Sequence, residues 1–326
     1  MRRPPLKFMA RAAAASYRMS MNDAPPRTAD TVKDERRSAL LIGVLCGAGA
    51  AFGWAAGFVG ALHGIQVGLR PEDITLHRYI WLAPVLAFFV FRQGLANPGG
   101  IGWSRGLALT LFAGPPLSLF SYYGFLAVPL GHGAVIQPSA AAVGGLALTA
   151  LFLSEPLPVT RIIGAAAIVL GLVVFAGESA TTIGASGILG DLSFVMAGLS
   201  WAAFGLLLAL WRVDPLRAAA IVAVLSSLIY VPVHGLLFGY GPMIAAGFAE
   251  NALQAVVQTA LAGPGGVFLF TRAVVLLGPG RAAVFPALVP LFTMAIGFVL
   301  LGEVPTLAQL AGLAIVLTGF AFVLRR

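Results

Sequence analysis

Charge is what this chain has least of. Asp, Glu, Lys and Arg make up 10% of its residues, where a soluble domain carries about 25%. Hydrophobic residues make up 59%, a ratio that excludes a water-soluble globule and points to a membrane protein. Cysteine is nearly absent: Cys46 stands alone inside an apolar run, so no intrachain disulfide can form and the redox compartment is not encoded. The histidines, at positions 63, 77, 132 and 234, are never paired at metal-binding spacing. There is no His-Glu-x-x-His, no Gly-x-Ser-x-Gly and no phosphate-binding loop, which removes the common signatures of zinc hydrolysis, serine hydrolysis and ATP-driven work. No cofactor, no metal site and no catalytic residue are expected, and an enzyme is not the favoured reading.

What the chain does contain is long apolar runs. A bilayer core of about 30 Å takes about 20 residues of helix. Ten stretches qualify, near 39–60, 74–91, 106–127, 132–153, 159–176, 187–210, 216–238, 252–275, 280–301 and 306–324. Breakers separate them, among them Pro71, Asn97-Pro98-Gly99-Gly100, Pro129, Pro215, Gly278-Pro279-Gly280 and Pro305. Helices satisfy their own backbone bonds span by span, and no period-2 alternation suggests a barrel.

The basic residues set an orientation. Residues 1–38 carry nine of the 20 Lys and Arg and read as a cytoplasmic basic tail, with Met19 or Met21 as an alternative start. With that tail in the cytoplasm, 18 Lys/Arg fall inside and only Arg70 and Arg78 outside. This is the positive-inside pattern. It explains the net charge of +8 by anionic lipid headgroups rather than nucleic acid. Both termini are then cytoplasmic, and a bacterial inner membrane is the expected location.

The chain also repeats itself. At an offset of 148 residues Glu155 pairs with Glu303, Pro138 with Pro286, Gly164 with Gly312 and Gly171 with Gly319. Trp54-Ala55-Ala56 matches Trp201-Ala202-Ala203, and Ala113-Gly114-Pro115 matches Ala262-Gly263-Pro264. Each half holds an odd number of spans, so the halves must lie inverted in the bilayer, the arrangement of alternating-access carriers. The expected fold is all-α, with ten transmembrane helices in two inverted five-helix repeats, over 39–177 and 187–324.

Pro290 opens a span that closes with Leu301-Gly302-Glu303, and Gln309, Gly312 and Gly319 follow. A weaker copy runs from Pro138 to Leu153-Ser154-Glu155, with Ala142 where Pro290 stands and Ser154 where Gly302 stands. This pattern resembles the EamA-type branch of the drug/metabolite transporter superfamily. The resemblance covers roughly residues 39–324. It implies two five-helix repeats around a central cavity that moves a small metabolite, with amino-acid exporters among the members.

Candidate substrate-binding residues are the polar and aromatic side chains inside spans: Trp54, Arg78, Tyr122, Gln137, Trp201, Gln258 and Arg272. Arg78 is the sharpest anomaly, since an arginine at mid-bilayer costs ~2.5–3.5 kcal/mol to insert; snorkelling to the headgroups is its structural alternative. Arg272 has the same alternative. Trp54, Trp201 and Tyr122 could equally serve helix packing. Gln258 shares a helical face with Gln254, and amides of this kind also glue helices together. Glu155 and Glu303 are gate charges or loop-capping residues, with Thr306-x-x-Gln309 reading as a capping box. Pro138, Pro286 and Pro290 are candidate hinges. The glycine spacing on the fifth and tenth spans suits close packing, with a homodimer contact as the other use.

The reading is a secondary transporter, in the export direction, of a small metabolite, amino acids being the substrate suggested. A flippase for a lipid-linked group and an intramembrane enzyme are the alternatives.

Overall fold

The computed structural model describes residues 29–92, 94–153, 158–178, 184–277 and 285–324. Two units are distinguished, residues 1–41 and residues 42–326. In the first, residues 29–41 are helical; the rest of the basic tail lies outside the described residues. Everything below concerns the second, apart from the bounds of the helix and span that begin at Ala29 and Arg36.

Among the described residues the chain is helical, without strands. In chain order the helices are α1 (Ala29–Gln66), α2 (Pro71–Ile80), α3 (Ala83–Phe91), α4 (Trp103–Ala113), α5 (Pro115–Gly124), α6 (Leu130–Phe152) and α7 (Val159–Glu178). The second half supplies α8 (Ala185–Trp211), α9 (Pro215–Leu237), α10 (Gly241–Gln254), a π-helical stretch Ala255–Leu261, α11 (Pro264–Leu277), α12 (Val289–Leu301) and α13 (Leu307–Leu324). Five helical stretches are long and apolar enough to cross a membrane: Arg36–Gln66, Leu130–Phe152, Ala185–Trp211, Pro215–Leu237 and Gly241–Leu277, the last interrupted at Gly247 and at Ala262-Gly263. The pair α2 and α3, bent by 50° at Trp81-Leu82, makes a sixth. Shorter apolar helices at Val159–Val174, Val289–Leu301 and Leu307–Phe322, with the broken pair α4 and α5, fall where the remaining four spans are expected.

The breaks have local causes. Ala113-Gly114-Pro115 and Ala262-Gly263-Pro264 each stand where one helix stops and another starts at the proline. Proline has no N–H to continue the ladder, but is at ease in a first turn. Glycine is required beside it: a Cβ on Gly114 would collide with the Thr110 carbonyl oxygen, and one on Gly263 would lie 2.8 Å from that of Gln258. The repeat therefore preserves a discontinuity in its third span. The eighth span starts earlier than its hydropathy suggests, because the polar stretch Glu250 to Gln254 is helical, and a kink at Gly247 (φ 78°) separates it from the short helix that begins at Gly241.

The inversion is visible at the seam between α7 and α13, the most extensively packed helix pair. A Cβ on Gly171 would meet Val316 and the Gly312 carbonyl; a Cβ on Gly319 would meet Ile168 and the Gly164 carbonyl. As residue number rises along one helix it falls along the other, so the two run antiparallel. Exchanging the repeats maps one set of contacts onto the other, which is local two-fold symmetry. The glycines bring the backbones together, and Ile168 and Val316, themselves repeat partners, are wholly buried there.

The helix ends separate chemically. One end, called here the histidine end, gathers the C-terminus of α1, the N-terminus of α2 and the turns around Tyr123, His132, Asp191, His234 and Glu303. The opposite, arginine end carries Arg92, Arg105, Arg161, Arg212 and Arg217. Arg105 stacks over Trp211 there, 5.6 Å from its ring centre.

Candidate functional site

A cavity of about 600 Å³ lies between the helices, within the size range of small-molecule sites. Helix α1 contributes Trp54 and Phe58, α2 contributes Arg78, and α5 contributes Ser118, Ser121 and Tyr122. Gln137, Pro138 and Thr149 of α6, Arg161 of α7 and Trp201 of α8 line it too. Ala262, Phe270, Pro286 and Phe320 complete the wall from the second repeat. The cavity runs from Arg78 and Tyr122 at mid-depth toward Thr149 and Arg161 at the arginine end.

Five of the seven nominated binding residues, Trp54, Arg78, Tyr122, Gln137 and Trp201, thus face one space. Gln258 stands directly behind the wall, fully buried, its Oε1 accepting from the Tyr122 hydroxyl at 2.9 Å. Arg272 is exposed and does not line the cavity. Pro138 and Pro286 line the wall, each at the same place in its repeat. Pro290 is buried in the first turn of α12, where proline is well tolerated, and it is not a cavity residue.

Of the two glutamates, Glu155 lies outside the described residues. Glu303 accepts a bond from the Leu130 backbone N–H at 3.2 Å, joining the ends of α6 and α12. Gly302 before it takes a left-handed conformation, φ 68°, as the C-cap of α12, which suits a glycine. Thr306 and Gln309 bond reciprocally, Gln309 N to Thr306 Oγ1 at 3.1 Å and Thr306 N to Gln309 Oε1 at 3.3 Å, as the capping box requires.

Arg78 is held by neutral groups. Its Nη1 donates to the Tyr122 hydroxyl and its Nη2 to the Ala262 carbonyl, both at 3.3 Å. That carbonyl belongs to the Ala262-Gly263-Pro264 break, and irregular backbone at membrane depth is tolerated where it faces a cavity. The nearby Tyr79 hydroxyl bridges the Ala113 carbonyl at 3.0 Å and the Ser118 hydroxyl at 2.8 Å. The breaks in both repeats therefore present their freed backbone to the same polar patch. Ser121 reaches Gln137 Oε1 at 2.8 Å. Trp54 leans on Phe270, centroids 5.5 Å apart, so much of the wall is aromatic.

Behind the cavity a polar ladder climbs to the histidine end. Gln258 donates to the Gly57 carbonyl at 3.0 Å and to Gln254 Oε1 at 3.2 Å. Gln254 donates to the Gly60 carbonyl at 2.7 Å and to Glu250 Oε1 at 2.8 Å. Glu250 Oε2 lies 3.2 Å from His63 Nε2. The π-helical stretch turns Gln258 onto this line, and π insertions often mark functional sites.

Sequence spacing missed the rest of the histidine end. Asp73, fully buried, meets Arg70 Nη2 and His234 Nε2, each at 2.9 Å. Arg70 also caps the Phe238 and Gly239 carbonyls at 3.0 Å. Glu72 accepts a short bond from the Tyr123 hydroxyl, His132 pairs with Asp191 at 2.8 Å, and His77 meets Asn251 at 3.0 Å. Every histidine has a polar partner on another helix. Among the described residues no group of three or more His, Cys, Asp or Glu is arranged to hold a metal ion.

No curated protein matches the chain. Ten solved chains match it. One, known only as a crystal structure of a protein, shares 17% of its residues and superposes with a TM-score of 0.58, covering 88% of this chain and 96% of its own; that likeness concerns the fold alone. The EamA-like transporter family matches twice, over residues 41–177 and over residues 188–325. With both repeats matched, the chain belongs to the EamA-like transporter family, whose members are membrane transporters of small molecules.

Proposed function

We propose that this protein is a secondary transporter that exports a small metabolite, amino acids included, by alternating access between its two inverted repeats. The observation that carries the reading is the single cavity collecting Trp54, Arg78, Tyr122, Gln137 and Trp201 from both halves of an inverted pair. Its lining by Thr149 and Arg161 near the arginine end, with the polar ladder packed toward the histidine end, supports a state closed toward the histidine end and accessible toward the arginine end. The distribution of Lys and Arg supports a cytoplasmic arginine end, with both termini on that side and a bacterial inner membrane as the location. On that reading the structure represents the inward-facing, substrate-loading state. Pro138 and Pro286 act as hinges beside the cavity, a small molecule is the substrate, and lipids solvate the exposed apolar helix faces.

The test is efflux from proteoliposomes reconstituted with the purified chain and loaded with a labelled amino-acid panel. Saturable efflux is expected, lowered about tenfold or more by Arg78→Ala, the loss of one charge-assisted contact, and lowered less by Trp201→Ala. Efflux no faster than from protein-free vesicles for every compound would sink the proposal. So would tag mapping that places the two termini on different sides of the bilayer.

A further inference from the structure

The cavity has a charge preference. Its lining includes two guanidinium groups, Arg78 and Arg161, and no Asp or Glu among the described residues. Arg78 sits eight residues past the helix boundary at Arg70, about 12 Å along a helix axis, too deep to reach headgroups easily. Its two bonds go to uncharged oxygens and both are long, 3.3 Å. The Tyr79 hydroxyl also lies beside it, another neutral oxygen, and a guanidinium has five N–H donors in a fixed fork, more than these three contacts use. The carboxylates Glu72 and Asp73, one to two turns away on α2, are already engaged, by Tyr123 and by Arg70 with His234. A half-buried arginine facing a cavity, with no counter-ion among the described residues, is costly unless something else neutralises it.

We propose that Arg78 is the anchor for a substrate carboxylate, and that the cavity selects amphipathic organic anions over neutral or cationic compounds of the same shape. This rests on the transporter reading above and narrows its substrate class. The anion would dock on the free edge of the Arg78 fork, which suits a bidentate carboxylate. Its apolar body would lie along Trp54, Phe58, Phe270 and Trp201. Arg161 at the far end of the cavity draws anions in from the arginine side. A zwitterionic amino acid would satisfy Arg78 with its carboxylate but find no acid for its ammonium among the described lining residues, so removal of that ammonium should strengthen binding.

The test uses three probes with one body: 4-phenylbutyrate, 4-phenylbutanamide and 4-phenylbutylamine, titrated calorimetrically into the intact purified protein. The acid is expected to bind about tenfold or more tightly than the amide, the difference made by one charge-assisted pair, and the amine weakest. Arg78→Gln should bring acid and amide to equal affinity, while Arg78→Lys keeps part of the preference. Should Arg78→Gln fail to fold, Tyr122→Phe serves instead: it frees a guanidinium donor, and the preference for acid should persist or grow. Equal binding of the three probes to the unaltered protein, tighter binding of amide or amine, or no binding at all would overturn the inference. Displacement of the acid by an equal concentration of short-chain phosphatidylglycerol would also overturn it, by assigning the anion site to a lipid. Flux assays keep the two readings apart. Transport of amine or amide without acid defeats only the anion preference; tight binding of acid with no flux of any probe supports the anion site and defeats the transporter reading.

Discussion

The two ends of the bundle treat charge in opposite ways. At the histidine end the acids are partnered: buried Asp73 with His234 of another helix and with Arg70 at the start of its own, buried Asp191 with His132, and half-buried Glu250 with His63. Toward the arginine end the cavity holds a cation at mid-depth with only neutral oxygens for company. Paired charges tie helices together. An unpaired one leaves interaction energy available to something that comes and goes. On the proposed reading one chain builds a fastened end and a receptive one from the same kinds of side chain, and the difference lies in whether the counter-charge was supplied by the fold.

That contrast can be broken. The largest effect is expected from Asp73→Ala, which strands His234 and removes the strut between Arg70 and α2. Breaking a buried pair from one side costs about 3–5 kcal/mol, so detergent-solubilised protein should show a marked fall in thermal midpoint; an unchanged midpoint would mean that the histidine end is not fastened by charge. Arg78→Ala should do the reverse, lowering transport about tenfold or more at nearly unchanged midpoint, because no protein charge is left stranded: the Tyr122 hydroxyl keeps Gln258 and the Ala262 carbonyl faces the cavity. If its midpoint falls as far as that of Asp73→Ala, the distinction between the ends fails. Gly171→Val tests the seam, which belongs to neither end. Overpacking against Val316 and the Gly312 carbonyl should cost about 1–3 kcal/mol, seen as a lower midpoint with the cavity mutants' transport phenotype absent from the folded fraction. The smallest effect is expected from Thr306→Ala, which removes one half of the α13 capping box. A cost of about 1 kcal/mol in the same melt would be consistent, and a larger one would show that the histidine end depends on its helix caps more than on its ion pairs.

Much of the architecture was legible because it is written in local patterns. The Ala-Gly-Pro breaks, the glycines seven apart and the apolar runs are short-range features, and the structure uses each of them as geometry demands. Trp54, Arg78, Tyr122, Gln137 and Trp201 could be nominated since a polar or amphipathic side chain inside hydrocarbon needs a reason. The histidine end was illegible for the opposite cause. Its partners are 59 to 187 residues apart, and Glu72, Asp73 and Glu250 lie at span edges, where a charge can reach water and calls for no partner. The π-helical turn at Ala255–Leu261 left no mark that hydropathy or spacing could register, so Gln258 was placed on a face but not against Tyr122. Arg272 was nominated by the same reasoning as Arg78; exposure separates them, and depth along a helix was too uncertain to do so beforehand. Ser118 and Ser121, one turn apart and beside Tyr122, carried a usable signal that passed unread.

The antiparallel crossing of α7 and α13 has a mechanical meaning. Where each backbone rests on the other's carbonyl oxygens there is no slack to slide, and a dyad through the contact gives neither repeat the advantage. In the proposed cycle, in which the two halves rock against one another, this seam would be the stationary axle, and the work of exchange would fall on the helices that turn about it.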